Sequence, residues 1–284
     1  MNNSKLLFED LRSRILSPDS NDEVEAIAYL LLESLFHLTR TNVLAASKVE
    51  VSSEQMQLLE RLIERINAHE PVQYVLGSAD FLGRKFRVNK HVLIPRPETE
   101  ELVLVVKSFL EKRDVQQRFV LDIGTGSGCI PITLALEVPH SKVMGVDISD
   151  KALRVATENG DALKASVTFL KTDILEEEIP FNDLDVIVSN PPYIAGEEAA
   201  SMKENVLLYE PHLALFVDKG DVLTFYKAIA RKGFDPLVKG GMLAFETNEK
   251  FAYAVKDLME SIGYRDVTVQ KDINGKDRIV YGIK

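Results

Sequence analysis

Residues 189–194 read SNPPYI and follow the apolar run Val186-Ile187-Val188. The side-chain oxygen of Asn190 and the carbonyl of Pro191 are two acceptors, one for each N–H of a substrate NH₂ group. Pro191 and Pro192 lock φ and remove two backbone donors that would compete for the same partners. Tyr193 offers a ring face against which a planar amide or base can stack. The chemistry that needs such a clamp is substitution at an amide or aminopyridine-like nitrogen. That nitrogen is a poor nucleophile because its lone pair is delocalised. Two hydrogen bonds orient it and favour the more tetrahedral transition state. No base is needed before attack, since the proton leaves once the nitrogen has gained its new substituent. Asn-Pro is also a common turn dipeptide, so the surroundings of the motif must decide between a clamp and a rigid corner.

Those surroundings begin with LDIGTGSGC. Gly124, Gly126 and Gly128, with Thr125 and Ser127 between them, connect an apolar strand-like run to a helix. The third glycine comes one residue earlier than the dinucleotide fingerprint requires, which argues against a nicotinamide cofactor. The loop is similar to the D-x-G-x-G-x-G turn of S-adenosylmethionine methyltransferases. Asp147 ends the next strand, where a carboxylate can accept ribose hydroxyls. Asp173 ends the one after, within reach of an adenine amino group, and Ile174 can lie along the purine. Each acid alone is more often a cap or a solvated loop residue. Three such positions at successive strand ends are expected where a parallel sheet binds its ligand. Cys129 reads as a small packed residue, and the five scattered histidines provide no metal site.

The alternation of strand and helix from about residue 118 predicts an α/β fold, doubly wound, with a mostly parallel seven-stranded sheet. Asn274-Gly275 predicts an antiparallel hairpin at its end. Residues 1–74 read as a small all-helical domain for substrate recognition. Apolar residues at 24, 27, 28, 31, 32, 35 and 38 form one helical face. Ser20 with Glu23 and Ser52 with Gln55 mark helix starts near 21 and 53. Residues 75–97 read as a hairpin linker turning at Asn89-Lys90, and Pro97 opens a helix in the domain spanning 98–284. The net charge of −10 disfavours duplex DNA binding, although Arg84, Lys85, Arg87 and Lys90 form a local basic group. The amino-terminal segment lacks a signal-peptide core, and no apolar run approaches the roughly 20 residues of a membrane span. A cytoplasmic monomer is expected.

Taken together, RPETEELV (96–103), DIGTGSGCI (122–130), VDIS (146–149), VIVSNPPYI (186–194), YEPHLALF (209–216) and the closing D-x-x-G-x-D-R (272–278) resemble the bacterial release-factor glutamine methyltransferases. The likeness runs from about 71 to 284. It implies S-adenosyl-L-methionine as cofactor, with Gly124, Thr125, Gly126, Ser127, Gly128 and Asp147 matching the cofactor positions; Asp173, Ile174 and Asn190 complete the expected cofactor site. It implies as substrate the side-chain amide of the Gly-Gly-Gln glutamine in peptide-chain release factors, handled by Asn190, Pro191, Pro192 and Tyr193. Some members carry an aromatic residue where Ile174 stands. The resemblance also suggests that Arg96, Glu98 and Thr99 line the cofactor entrance, with helix capping the other reading. Glu246 ends the fifth strand at the same edge, open to a site-wall role or a structural one, Glu210-Pro211 is expected to brace the loop behind the motif, and Glu197-Glu198 to be solvated. Adenine-N6 methylation of DNA and glutamine methylation of a ribosomal protein are the rival readings.

Overall fold

The computed structural model describes residues 3–16, 20–195, 204–217 and 221–284. Two compact units emerge, Met1–Ser78 with Lys203–Tyr209, and Ala79–Met202 with Glu210–Lys284. The first contains α1 (Ser4–Arg14), α2 (Asn21–Phe36), α3 (Arg40–Leu44), α4 (Ser53–Asn67) and α5 (Val72–Leu76). Ser20 Oγ accepts the Glu23 N–H at the start of α2, and Ser52 with Gln55 closes a reciprocal capping box on α4. The apolar stripes of α1, α2 and α4 meet in a core that buries Leu7, Leu11, Leu31, Leu32 and Leu59 completely.

The hairpin departs from its expected position. β1 (Ser78–Phe81) and β2 (Arg84–Arg87) turn at Leu82-Gly83, and the rest of 75–97 is not strand. Both turn residues have positive φ, 43° and 73°, as a two-residue hairpin loop requires. Leucine seldom adopts that conformation, so the sequence does not advertise the turn. The Leu82 N–H donates to Glu100 Oε1 at 2.8 Å, anchoring it. Asn89 instead forms a local turn, its Oδ1 accepting the His91 N–H. The basic group here is largely neutralised: Arg84 pairs with Glu137, Lys85 with Asp80 and Arg87 with Glu158.

The second unit continues with α6 (Pro97–Glu111), β3 (Arg118–Ile123), α7 (Cys129–Glu137), β4 (Ser141–Asp147), α8 (Asp150–Leu163), β5 (Val167–Lys171), β6 (Leu184–Ser189) and β7 (Ile194–Ala195). After α9 (Glu204–Tyr209), which belongs to the helical unit, come α10 (His212–Leu215), β8 (Phe216–Val217), α11 (Thr224–Phe234), β9 (Leu237–Glu246), α12 (Ala252–Ile262), β10 (Arg265–Lys271) and β11 (Asp277–Ile283). The seven-stranded sheet has the order β10-β11-β9-β6-β3-β4-β5. β9, β6, β3, β4 and β5 run parallel, and β11 lies antiparallel to both β9 and β10. β6 is buried along its whole length, as a central parallel strand covered on both faces must be. Alternate strand residues face opposite ways. Val120, Val186 and Val188 pack with α6 and α7, while Leu121, Ile123 and Ile187 pack with α11 and α12.

Candidate active site

A cavity of ≈ 400 Å³ opens at the carboxyl ends of β3, β4, β5 and β6. The strand order reverses between β3 and β6, the position at which open α/β sheets bind ligands. Its wall includes Gly124 to Ser127, Asp147, Asp173, Ile174 and Asn190 to Pro192.

The three glycines of the first loop have different tasks. All have positive φ, at 76°, 54° and 80°. A Cβ on Gly124 or Gly126 would meet nothing within 4 Å, so their backbone is open to a ligand. A Cβ on Gly128 would strike Ile132 Cδ1 at 2.8 Å and Ala156 Cβ at 3.1 Å. Gly128 therefore serves helix packing rather than ligand approach. The loop is tied down by Gly124 N and Thr125 N, which both donate to the Val146 carbonyl at 2.9 and 3.0 Å.

Asp147 Oδ2 accepts the Gly126 N–H and Oδ1 the Ser149 N–H, each at 2.9 Å. One lone pair on each oxygen remains for a diol. Burial holds this carboxyl above the usual range, offset by those N–H donors. Asp173 Oδ1 caps its own turn by accepting the Leu175 N–H, and Ile174 is buried beside it in the cavity wall. Lys232 fixes this turn by donating to the carbonyls of Ile174, Leu175 and Glu177. Cys129 is buried and its thiol is pushed up to about 12, chiefly by desolvation, which disfavours the thiolate.

Asn190 lies just past β6 and its Nδ2 donates to Thr99 Oγ1 at 3.2 Å. Thr99 Oγ1 in turn donates to Glu246 Oε2 at 2.6 Å, with both residues buried. Thr99 thus sits on the first turn of α6 and touches the motif directly. Glu246, for which the sequence leaves a structural and a site-wall role open, completes this chain from the end of β9. Glu210 is buried, pairs with Arg96 and accepts the Ile94 N–H, bracing the segment behind the motif. Tyr193, expected to share the substrate site with Asn190 and its prolines, is half-buried. It packs on the core beside α11 and is not part of the cavity wall. Glu197 and Glu198 lie outside the described residues.

Asn159 carries no motif, yet it joins the loop to the hairpin. Its Nδ2 donates to the carbonyls of Ser127 at 2.9 Å and Arg87 at 3.0 Å, and its Oδ1 accepts the Arg87 N–H at 2.7 Å. The available signal is an asparagine on the buried stripe of α8, in line with Ala152, Val155 and Ala156. An interior polar residue there needs partners to offset its desolvation.

Asp122, behind the glycine loop, is buried, and neither of its oxygens closes a hydrogen bond of ordinary geometry. Desolvation pushes its carboxyl up to about 7, partly offset by the Thr125 hydroxyl and increased by charge on Asp147. Glu246 is likewise pushed up to about 7, again chiefly by burial. A carboxyl whose folded pKa exceeds its unfolded one binds more protons in the folded state, so ionising it on raising the pH costs stability. Unfolding stability should therefore fall between about pH 5 and 7, and Asp122→Asn should flatten the slope by up to about 1.4 kcal/mol per pH unit. Thermal unfolding across that range checks this; equal slopes for both proteins would contradict it.

Two family descriptions match the chain: Methyltransferase small domain over residues 102–220 and PrmC N-terminal domain over residues 13–77. A release factor glutamine methyltransferase from Bacteroides thetaiotaomicron is 43% identical over 91% of this chain and 92% of that one. The protein of the same name from Bacillus subtilis is 42% identical over 97% of both chains. The chain belongs to the release factor glutamine methyltransferase family. Among solved structures, a methyltransferase from Pyrococcus furiosus superposes with a TM-score of 0.50 at 18% identity, covering 82% of this chain and 99% of that one. At that identity the likeness speaks to the fold of this family member, not to its substrate.

Proposed function

We propose that this chain transfers the methyl group of S-adenosylmethionine to the side-chain amide nitrogen of the glutamine in the Gly-Gly-Gln tip of peptide-chain release factors. The observation that carries the reading is Asn190 on the cavity wall, its Nδ2 engaged by Thr99. That bond leaves Oδ1 as the acceptor available to a substrate N–H. When bound, the cofactor supplies an electrophilic methyl carbon on a sulfonium.

The residues present fit that group. Asp147 keeps lone pairs for two ribose hydroxyls, and Asp173 and Ile174 flank the purine end. Gly124 and Gly126 leave room for the amino-acid end to approach the backbone. Asn190 Oδ1 and the Pro191 carbonyl take one substrate N–H each and hold the nitrogen as its lone pair localises. Pro191 and Pro192 keep that pair of acceptors rigid. Asp147→Ala should weaken cofactor binding by about 1.5–3 kcal/mol for each charge-assisted hydrogen bond lost. Calorimetry on the folded variant reads this, and unchanged affinity would remove Asp147 from the site.

The helical unit is the part we assign to release-factor recognition, acting in the cytoplasm on a protein substrate as a monomer. Its exposed Leu6, Leu16 and Leu44 are available to a partner, and its match to the PrmC N-terminal domain supports the assignment. Mass spectrometry of release factors from cells lacking this protein tests the reading. A tip glutamine that loses its methyl supports it, and one that stays methylated refutes it.

A further inference from the structure

We propose that Thr99 and Glu246 are positioning residues that set which end of the Asn190 amide faces the substrate, and that protonating Glu246 reverses this setting. The inference rests on the amide-methylating reading above. A threonine hydroxyl has one proton and can also accept. An ionised Glu246 only accepts, so the Thr99 proton must point to Glu246 Oε2, 2.6 Å away. Towards Asn190, Thr99 can then only accept. The atom of Asn190 facing it, at 3.2 Å, must be the NH₂ nitrogen. Oδ1 is consequently turned away from Thr99 and free to accept a substrate N–H.

With Glu246 protonated the chain inverts. The carboxylic acid donates to Thr99 Oγ1, and the Thr99 proton turns to Asn190. The favoured Asn190 rotamer then presents Oδ1 to Thr99 and its NH₂ to the substrate. Two donors would face each other, and the clamp would lose its side-chain acceptor. Neither threonine nor glutamate touches the reacting atoms; both act through Asn190.

The surroundings place Glu246 where such an inversion falls near neutral pH. Desolvation raises its carboxyl to about 7, while Thr99, Arg278 and Arg96 pull the other way and Glu98 adds to the rise. Arg278 is itself held by Asp272 and the Thr247 carbonyl. Among the described residues, the other titratable neighbours are Tyr193, Tyr226 and Cys129; Tyr226 donates to the Glu246 backbone carbonyl at 3.1 Å. Burial raises the pKa values of all three, to about 12 for Tyr193 and Cys129, and they stay protonated across the relevant range.

The test uses the full chain, purified release factor and saturating S-adenosylmethionine. Wild-type kcat should fall as the pH drops through about 7, with cofactor affinity, measured separately by calorimetry, holding steady. Thr99→Val should lower kcat roughly 10- to 100-fold with little change in cofactor affinity, the effect of losing one orienting hydrogen bond. Thr99→Ser should restore it to within a few-fold, and Glu246→Gln should abolish the acidic limb. A readout without turnover is the ¹⁵N-labelled side-chain NH₂ of Asn190, assigned by its loss in Asn190→Asp. Its shifts should titrate with the same midpoint in wild type and not in Glu246→Gln. If Thr99→Val retains kcat within a few-fold, or the limb persists in Glu246→Gln, the orienting chain is wrong. The wild-type NMR titration decides the matter even if Thr99→Val fails to fold. A wild-type protein that methylates no release factor would instead sink the functional reading itself.

Discussion

Asn190→Ala is expected to lower kcat by about 10²–10³ while leaving cofactor affinity nearly intact. The size follows from comparison with removal of one oxyanion-hole donor, which also acts mainly when the transition state forms. The alanine removes an acceptor whose value grows as the substrate nitrogen pyramidalises, so the loss appears in kcat rather than in ground-state binding. It also leaves the Thr99 hydroxyl without the amide that it orients. Asn190→Asp keeps an acceptor oxygen but places a second carboxylate near Glu246, where repulsion and misplacement oppose any stabilisation of the developing cation. Single-turnover transfer with the cofactor pre-bound isolates the step. A rate within a few-fold of wild type would reduce the motif to a rigid corner.

Gly126→Val and Gly128→Val are expected to fail in opposite ways. Both force a β-branched residue to positive φ, a strain of about 1–2 kcal/mol. At Gly126 the added side chain meets no protein atom near its Cβ, so the fold survives with that loss alone. Its branches occupy the space of the ligand, and cofactor affinity should drop roughly 100-fold or more, as expected if several loop hydrogen bonds are lost together. At Gly128 the Cβ collides with Ile132 and with Ala156. Overpacking adds about 1–3 kcal/mol to the strain, so this variant should lose stability first and affinity as a consequence. Paired measurements of unfolding midpoint and cofactor binding separate the two. Matching profiles for both variants would mean that the loop does not divide its work in this way.

Much of this was legible because local signals and the sheet agree. The glycine loop, Asp147 and the asparagine motif stand at the ends of β3, β4 and β6, and a parallel sheet brings such ends to one edge. The capping residues Ser20 and Ser52 and the Asn274-Gly275 turn also act where their chemistry predicts. What escaped depends on contacts between residues far apart in sequence. Thr99 and Glu246 are each site candidates in the sequence, and Thr99 does line the cavity, but they are 147 positions apart, so their contact with each other is not readable there. Asn159 reveals itself only once α8 is laid against β2 and the glycine loop. The hairpin turn was hidden because Leu82 adopts a conformation its side chain disfavours, held there by Glu100. Tyr193 shows the limit of a motif read as a unit, since it is half-buried and packs against the core while its neighbours line the cavity.

The most direct test of the account is transfer from methyl-labelled S-adenosylmethionine, with purified protein and intact release factor, followed by fragmentation mass spectrometry. The account predicts a single methyl group on the side-chain nitrogen of the Gly-Gly-Gln glutamine, and none on a release factor in which that glutamine is replaced. Label at another residue or on added nucleic acid, or no transfer by a folded protein shown to bind the cofactor, would contradict it.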